Sequence, residues 1–178
     1  MKGFSDNLLK NHFKLYSGYV ANTNKVLDKL NIMLKEGKTK EYEYAELKRR
    51  LGWEFNGMRL HELYFGNLGG NGELRSGTKI YKKIALDFGN FEYWKQDFVS
   101  TGSMRGIGWV VLYYDKTGDR LINMWINEHD VGHPAGCVPL LVMDVFEHAF
   151  ISDYGLAKTK YIEAFFENIN WQAVEKRF

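Results

Sequence analysis

Five histidines and one aspartate carry most of the chemistry open to this chain of 178 residues: His12, His61, His129, His133, His148 and Asp144. Neutral imidazole is the commonest protein ligand for mid-row metals, and a carboxylate beside it favours iron or manganese over the ions that thiolates select. His148 follows Asp144 by four residues in the segment Met143 to Phe150, MDVFEHAF. His12 lies on the apolar face of a helical pattern, with Tyr19 two turns further along that face, and His61 lies between Leu60 and Leu63. Each has a plainer reading. A single histidine among apolar residues is more often a hydrogen-bonded core residue than a ligand, and Asp144 could equally cap a following helix. Residue types and spacing therefore support a mononuclear metal site without bringing its members together.

Positioning these groups falls to elements that the hydrophobic period marks out. Leu8, Leu9, His12, Leu15, Tyr16, Tyr19, Val26, Leu27, Leu30, Met33 and Leu34 recur at steps of three and four, so residues 1–36 read as one long helix or two in line. Ser5 or Asp6 supplies its N-cap and Gly37 its stop. Tyr42 to Phe65 is a second helical region, interrupted by Gly52 and Gly57. A short turn between the two makes an αα-hairpin, in which His12 and His61 could face one another. The segment Asn67 to Thr78, NLGGNGELRSGT, lacks the spacing of a phosphate-binding loop and follows a helix rather than a strand, so it reads as a linker.

Beyond the linker, Ile80 to Phe98 keeps helical spacing. Gly108 to Tyr114 and Leu121 to Ile126 are rich in β-branched and aromatic residues and flank the turn sequence Asp115 to Asp119, which together read as a hairpin. Val138 to Met143 is a third strand ending at Asp144, and Tyr161 to Phe178 reads as closing helices. The expected fold is α+β: an N-terminal helical hairpin followed by an α/β region with a three-stranded antiparallel sheet. The expected division is an N-terminal α-hairpin domain with its Gly-rich linker over 1–78 and a C-terminal α/β domain over 79–178, with the metal site between them.

Composition narrows the class. At 45% hydrophobic, 26% charged and 16% aromatic residues the chain is globular in type. No apolar run reaches the ~18 residues of a membrane span, and MKGFSDNLLK has no apolar h-region, so neither a membrane protein nor a secretory leader is expected. Cys137 stands alone, which excludes an intramolecular disulfide and suits a reducing compartment, so the expected location is the cytoplasm. With 24 basic against 22 acidic residues and no basic block, no nucleic-acid partner is expected.

The segment Asp144-Val-Phe-Glu-His-Ala-Phe150 closely resembles the D-x-[W/F]-E-H-A-[Y/F] signature of the iron/manganese superoxide dismutases. Asn56 to Phe65, NGMRLHELYF, resembles the family's second-helix ligand segment, followed as there by Asn67-Leu68 and a Gly-rich linker. Phe88 to Phe91, Gly108-Trp109, Pro139 to Leu141 and Asn170-Trp171 fall in the family's order, so the resemblance covers nearly the whole chain beyond residue 8. The archaeal-like branch, with a histidine before the last strand as in Glu128 to His133, is the most similar, although the family's usual N-terminal extension is missing.

The resemblance implies that His61, Asp144 and His148 are metal ligands. The family places its first-helix ligand eight residues before a Tyr-Val pair, whereas His12 stands seven residues before Tyr19-Val20. An ungapped match would put Asn11 at the ligand position, and a one-residue deletion puts His12 there. Asparagine is a poor ligand for this metal class, so His12 is the expected fourth ligand. Tyr19 occupies the position of the tyrosine guarding the substrate funnel. His129, with Glu128 as second choice, occupies that of the residue bonded to the solvent on the metal. The family's cross-subunit His–Tyr pair has gone from both sides, replaced by Leu15 or Tyr16 and by Ile151. Glu147 matches the glutamate that reaches the partner subunit's ligand histidine, which implies a homodimer or a dimer of dimers. The implied activity is dismutation of superoxide at one iron or manganese ion per subunit. The alternatives are a different iron- or manganese-dependent oxidoreductase on the same fold and a degenerate, metal-free interaction protein.

Overall fold

The computed structural model describes residues 1–178. Helix α1 spans Asp6–Lys35 as one unbroken element. The Ser5 hydroxyl caps it by accepting from the Leu8 amide, and Ser5 also bonds the Asp153 carboxylate, which fastens the start of the helix to a distant segment. At the other end Gly37 takes φ +71°, and the Lys38 amide reaches back to the Met33 carbonyl, a Schellman stop that a β-carbon would strain.

Helix α2, Tyr42–Gly66, runs straight through Gly52 and Gly57 instead of breaking at them. The reason at Gly57 is packing: a β-carbon there would lie 2.6 Å from the Tyr19 ring, so the glycine lets α1 and α2 approach closely. The single helical stretch expected over Ile80 to Phe98 is two helices, α3 at Lys79–Phe88 and α4 at Phe91–Ser103. Gly89 ends the first at φ +88°, and the Asn90 side chain caps the second by accepting from the Tyr93 amide.

Strands β1 (Gly108–Asp115), β2 (Arg120–Asn127) and β3 (Cys137–Asp144) form an antiparallel sheet in the order β2-β1-β3. The central strand is buried on both faces, which explains its continuous apolar run. Its register sets Trp109 opposite Asp144 on one side and Ile126 on the other. A 3₁₀ turn at Glu147–Ala149 follows, then α5 (Ile151–Tyr154), α6 (Lys158–Glu167) and α7 (Trp171–Arg177). The α+β architecture is therefore as the sequence implies.

One side chain locks the hairpin to the sheet. The buried Asn67 amide at the end of α2 accepts from the Val142 amide and donates to the Val142 carbonyl, as a neighbouring strand would. Arg177 adds hydrogen bonds to the Leu63 and Leu140 carbonyls. These contacts fix α2 against β3 and so set the distance between the residues each carries. No helix is long and apolar enough to cross a membrane.

Candidate metal centre

Four of the sequence-derived residues converge. His12 comes from α1, His61 from α2, Asp144 from the last position of β3 and His148 from the 3₁₀ turn, and their donor atoms all lie within 4.8 Å of one another. His12, His61 and Asp144 are fully buried. Asn11, the residue an ungapped match would have chosen, is exposed and is not part of the cluster.

Asp144 uses its two oxygens differently. Oδ1 accepts from the Phe146 amide at 2.8 Å, which shapes the turn after β3. Oδ2 faces three imidazole nitrogens: Nε2 of His12 and of His148 at 3.0 Å, and Nε2 of His61 at 3.7 Å. Asp144 therefore shapes a turn with one oxygen and faces the cluster with the other, and it does not cap the 3₁₀ turn, whose N-cap position is Phe146. The Tyr161 hydroxyl donates to the Asp144 carbonyl at 2.7 Å and steadies the strand end.

His61 Nδ1 lies 2.6 Å from the Gly57 carbonyl, which can only accept, so the ring proton sits there. Its Nε2 then presents a lone pair to the cluster, and that buried atom has no hydrogen-bond partner in the protein. A lone pair facing a carboxylate repels it, and a cation bound by all four groups removes the conflict. Burial pushes the His61 pKa down to about 4 against the pull of Asp144, so this imidazole is neutral at pH 7. Burial alone would raise Asp144, but the histidines, above all His148, hold its carboxyl well below the usual carboxylate range. Burial likewise lowers His148, and the Asp144 charge and hydrogen bond outweigh it and raise that pKa. Three imidazoles with one carboxylate form the nitrogen–oxygen donor set of a first-row ion such as iron or manganese.

A second group surrounds the cluster. The Trp109 indole N–H donates to His129 Nδ1 at 3.0 Å, and an indole can only donate. His129 must then carry its proton on Nε2, from which it donates to the Tyr19 hydroxyl at 2.7 Å. Tyr19 keeps its own proton free, and its ring stacks on His61 at 5.2 Å. Burial first, then the Asp144 charge, pushes the Tyr19 pKa up to about 12, while burial pushes His129 down to about 4. Glu128 points elsewhere: it sits at φ +54° and accepts from the Trp53 indole at 3.1 Å. Of the two candidates for the inner role, His129 is the one bonded to Tyr19.

A cleft of about 550 Å³ between α1 and α2 opens onto Tyr19, with Asn11, Lys14, Asn22, Trp53 and Glu54 in its walls. The Arg50 guanidinium lies 4.2 Å from the Trp53 ring centre and pairs with the buried Glu54 at 2.7 Å. A larger groove of about 840 Å³, between the Gly-rich segment and α7, contains none of the site residues. Glu147 is exposed, as are Leu15 and Ile151, at 41% and 46%. Tyr16 bonds Glu62 at 3.3 Å within the same chain. The parts played by Trp109 and Gly57 escape a reading of composition and spacing. The pairing of Trp109 with Asp144 is the signal that finds the first, and it needs the strand register.

Residues 76–177 match the family described as iron/manganese superoxide dismutases, C-terminal domain. The chain is similar to the superoxide dismutase (Fe) of Aquifex pyrophilus, 37% identical over 100% of this chain and 85% of that protein. It is similar to that of Aquifex aeolicus at 35% identity with the same coverage. The protein of that name from Saccharolobus solfataricus is 34% identical over 91% of this chain and 79% of its own length.

Proposed function

Because the chain belongs to the iron/manganese superoxide dismutase family, we propose that His12, His61, Asp144 and His148 hold one iron ion per chain and that the protein converts superoxide to dioxygen and hydrogen peroxide there. The observation that carries the assignment of these residues is the meeting of three imidazole nitrogens around one carboxylate oxygen, drawn from α1, α2, β3 and the following turn. When bound, the ion supplies a one-electron couple that oxidises one superoxide and reduces the next.

The protein's own groups do the rest. His12, His61 and His148 offer lone pairs, and Asp144 supplies the one negative charge. Reduction of superoxide to hydrogen peroxide consumes two protons, so a proton must be held close by. His129 donates from Nε2 to the Tyr19 hydroxyl, which leaves the phenol proton to be directed at the site. With a pKa of about 12, Tyr19 keeps that proton across the physiological range and acts as a donor rather than a base. Trp53, Trp109 and Phe146 pack around the buried His129, which holds that ring away from bulk water while Tyr19 faces the cleft. Lys14 in the cleft wall gives a small anion an attractive approach, a term that salt screens, while the Arg50 charge is offset by its pair Glu54.

The finer assignments follow the same reading. Iron is preferred because the relatives' names specify iron, with manganese the alternative ion. Residues 1–78 and 79–178 act as two domains with the metal between them. Exposed Glu147 reaches a second copy, giving a homodimer or a dimer of dimers. A lone cysteine suits the cytoplasm. The deciding experiment is stopped-flow decay of superoxide with metal-free, iron-loaded and manganese-loaded protein. Acceleration near the diffusional ceiling of about 10⁸–10⁹ M⁻¹s⁻¹ with one metal and not without it supports the proposal. No acceleration at a one-to-one iron load overturns it.

A further inference from the structure

His133 stands outside the cluster, yet it closes a chain of hydrogen bonds that ends at Tyr19. Its Nε2 lies 2.8 Å from the His129 carbonyl, which can only accept, so Nε2 bears the proton. Its Nδ1 is then a lone pair, and the Tyr113 hydroxyl 2.8 Å away donates to it. A half-buried ring thus uses both nitrogens in one tautomer. Tyr113 is a firm anchor: it sits on the central strand β1, is 2% exposed, and is kept protonated by burial.

The segment that His133 holds needs an anchor. The chain leaves β2 with Glu128 at φ +54°, a conformation that costs a residue with a β-carbon. It returns through the Asn127–Val131 bridge and Gly132 at φ +101°. His129 sits at the crest of this loop, and no other protein hydrogen bond reaches its backbone. Its imidazole must nevertheless hold Trp109 on one side and Tyr19 on the other.

We propose that His133 is a positioning residue for the reaction: the link from Tyr113 through His133 to the His129 carbonyl fixes the His129 imidazole against the Tyr19 hydroxyl. The inference rests on the reading of Tyr19 and His129 as the proton-holding pair of a superoxide dismutase. His133 touches neither substrate nor metal in this role. With both nitrogens engaged, it has no lone pair left for an ion.

The test compares His133→Ala, His133→Gln and Tyr113→Phe in iron-loaded protein. It reads iron per chain, the visible spectrum, the affinity for azide as a small anionic probe, and the pH profile of superoxide decay. Glutamine retains an amide N–H for the His129 carbonyl. The expected result is that His133→Ala keeps its iron but changes the spectrum and pH profile, and weakens azide binding and turnover by up to about tenfold. His133→Gln should recover most of the loss, and Tyr113→Phe should move every readout in the alanine direction by less. A wild-type spectrum, azide affinity and pH profile in His133→Ala overturn the proposal, and so does a glutamine variant no better than alanine. If His133→Ala does not fold, Tyr113→Phe decides: readouts identical to wild type overturn the proposal. A wild-type iron protein that does not accelerate superoxide decay defeats the activity instead, while the spectrum and azide affinity still judge His133.

Discussion

Across 110 positions of sequence, His129 Nε2 meets the Tyr19 hydroxyl at 2.7 Å, while the other nitrogen of the same ring takes the Trp109 indole proton. The donor–acceptor sense of the chain is thereby settled from Trp109 to Tyr19. Replacing Tyr19 by Phe removes its terminal proton and leaves every ligand in place. Iron content should stay near one per chain while turnover falls by at least about tenfold. Metal analysis beside stopped-flow kinetics checks both halves, and a fully active Tyr19→Phe would contradict the role.

Gly57 supports the same pair from behind. An alanine in an exposed helix interior stabilises by about 1 kcal/mol over glycine. Here the added carbon would sit 2.6 Å from the Tyr19 ring, and overpacking of that kind costs about 1–3 kcal/mol. Steric cost should win. Gly57→Ala is expected to lower the urea midpoint and reduce turnover, although the carbonyl that orients His61 remains. A stabilised variant with full activity would show that the Tyr19 ring can yield without consequence.

Removing a proposed ligand should act on the metal before the fold. His61→Ala deletes a nitrogen whose only use is inward, and Asp144→Ala deletes the single negative charge of the cluster. Both variants should purify with far less than one iron per chain under conditions where the wild type is fully loaded. Stoichiometric, tightly held iron in His61→Ala would refute the ligand assignment.

His129 also makes a pH prediction for the metal-free protein. Its pKa falls from 6.5 to about 4 on folding, so the unfolded chain binds the proton more readily between those values. The stability this neutral ring contributes is fully present above about pH 6.5 and is lost as pH falls towards 4. Denaturation midpoints measured from pH 7 to pH 4 should therefore decline, and more steeply in the wild type than in His129→Gln. Equal slopes would mean that His129 is not held neutral.

Much of this was legible in the chain because local signals agreed with the final packing. The Ser5 cap and the Gly37 stop are short-range features and sit where the sequence implies, and Leu8, His12, Val26, Leu30 and Met33 of the α1 stripe are buried, whereas Leu15, Leu27 and Leu34 are exposed. The β-branched and aromatic run of β1 and the turn sequence from Asp115 likewise announce a hairpin. Gly52 and Gly57 mislead, because a glycine marks either a break or a close approach, and only the partner helix decides which. The split at Gly89 and Asn90 was hidden because apolar residues continue on both sides of it. The helical hairpin lets His12 and His61 be chosen as facing candidates, but their meeting with Asp144 depends on the bonds of Asn67 to β3, a long-range contact that no spacing reveals. The same holds for Trp109, which is beside Asp144 only once the strands are in register.

The order of the cluster along the chain has a consequence for its biosynthesis. His12 and His61 belong to a helical hairpin built from neighbouring segments, which a ribosome releases first and which can form before the rest exists. That hairpin alone holds two of the cluster's imidazoles and lacks its carboxylate, Asp144. Asp144 and His148 emerge more than eighty residues after His61, and they reach position only when β3 has closed onto β1. A nascent chain therefore has no complete pocket with which to commit to an ion, and the choice of metal falls to the finished protein in whichever compartment its folding ends.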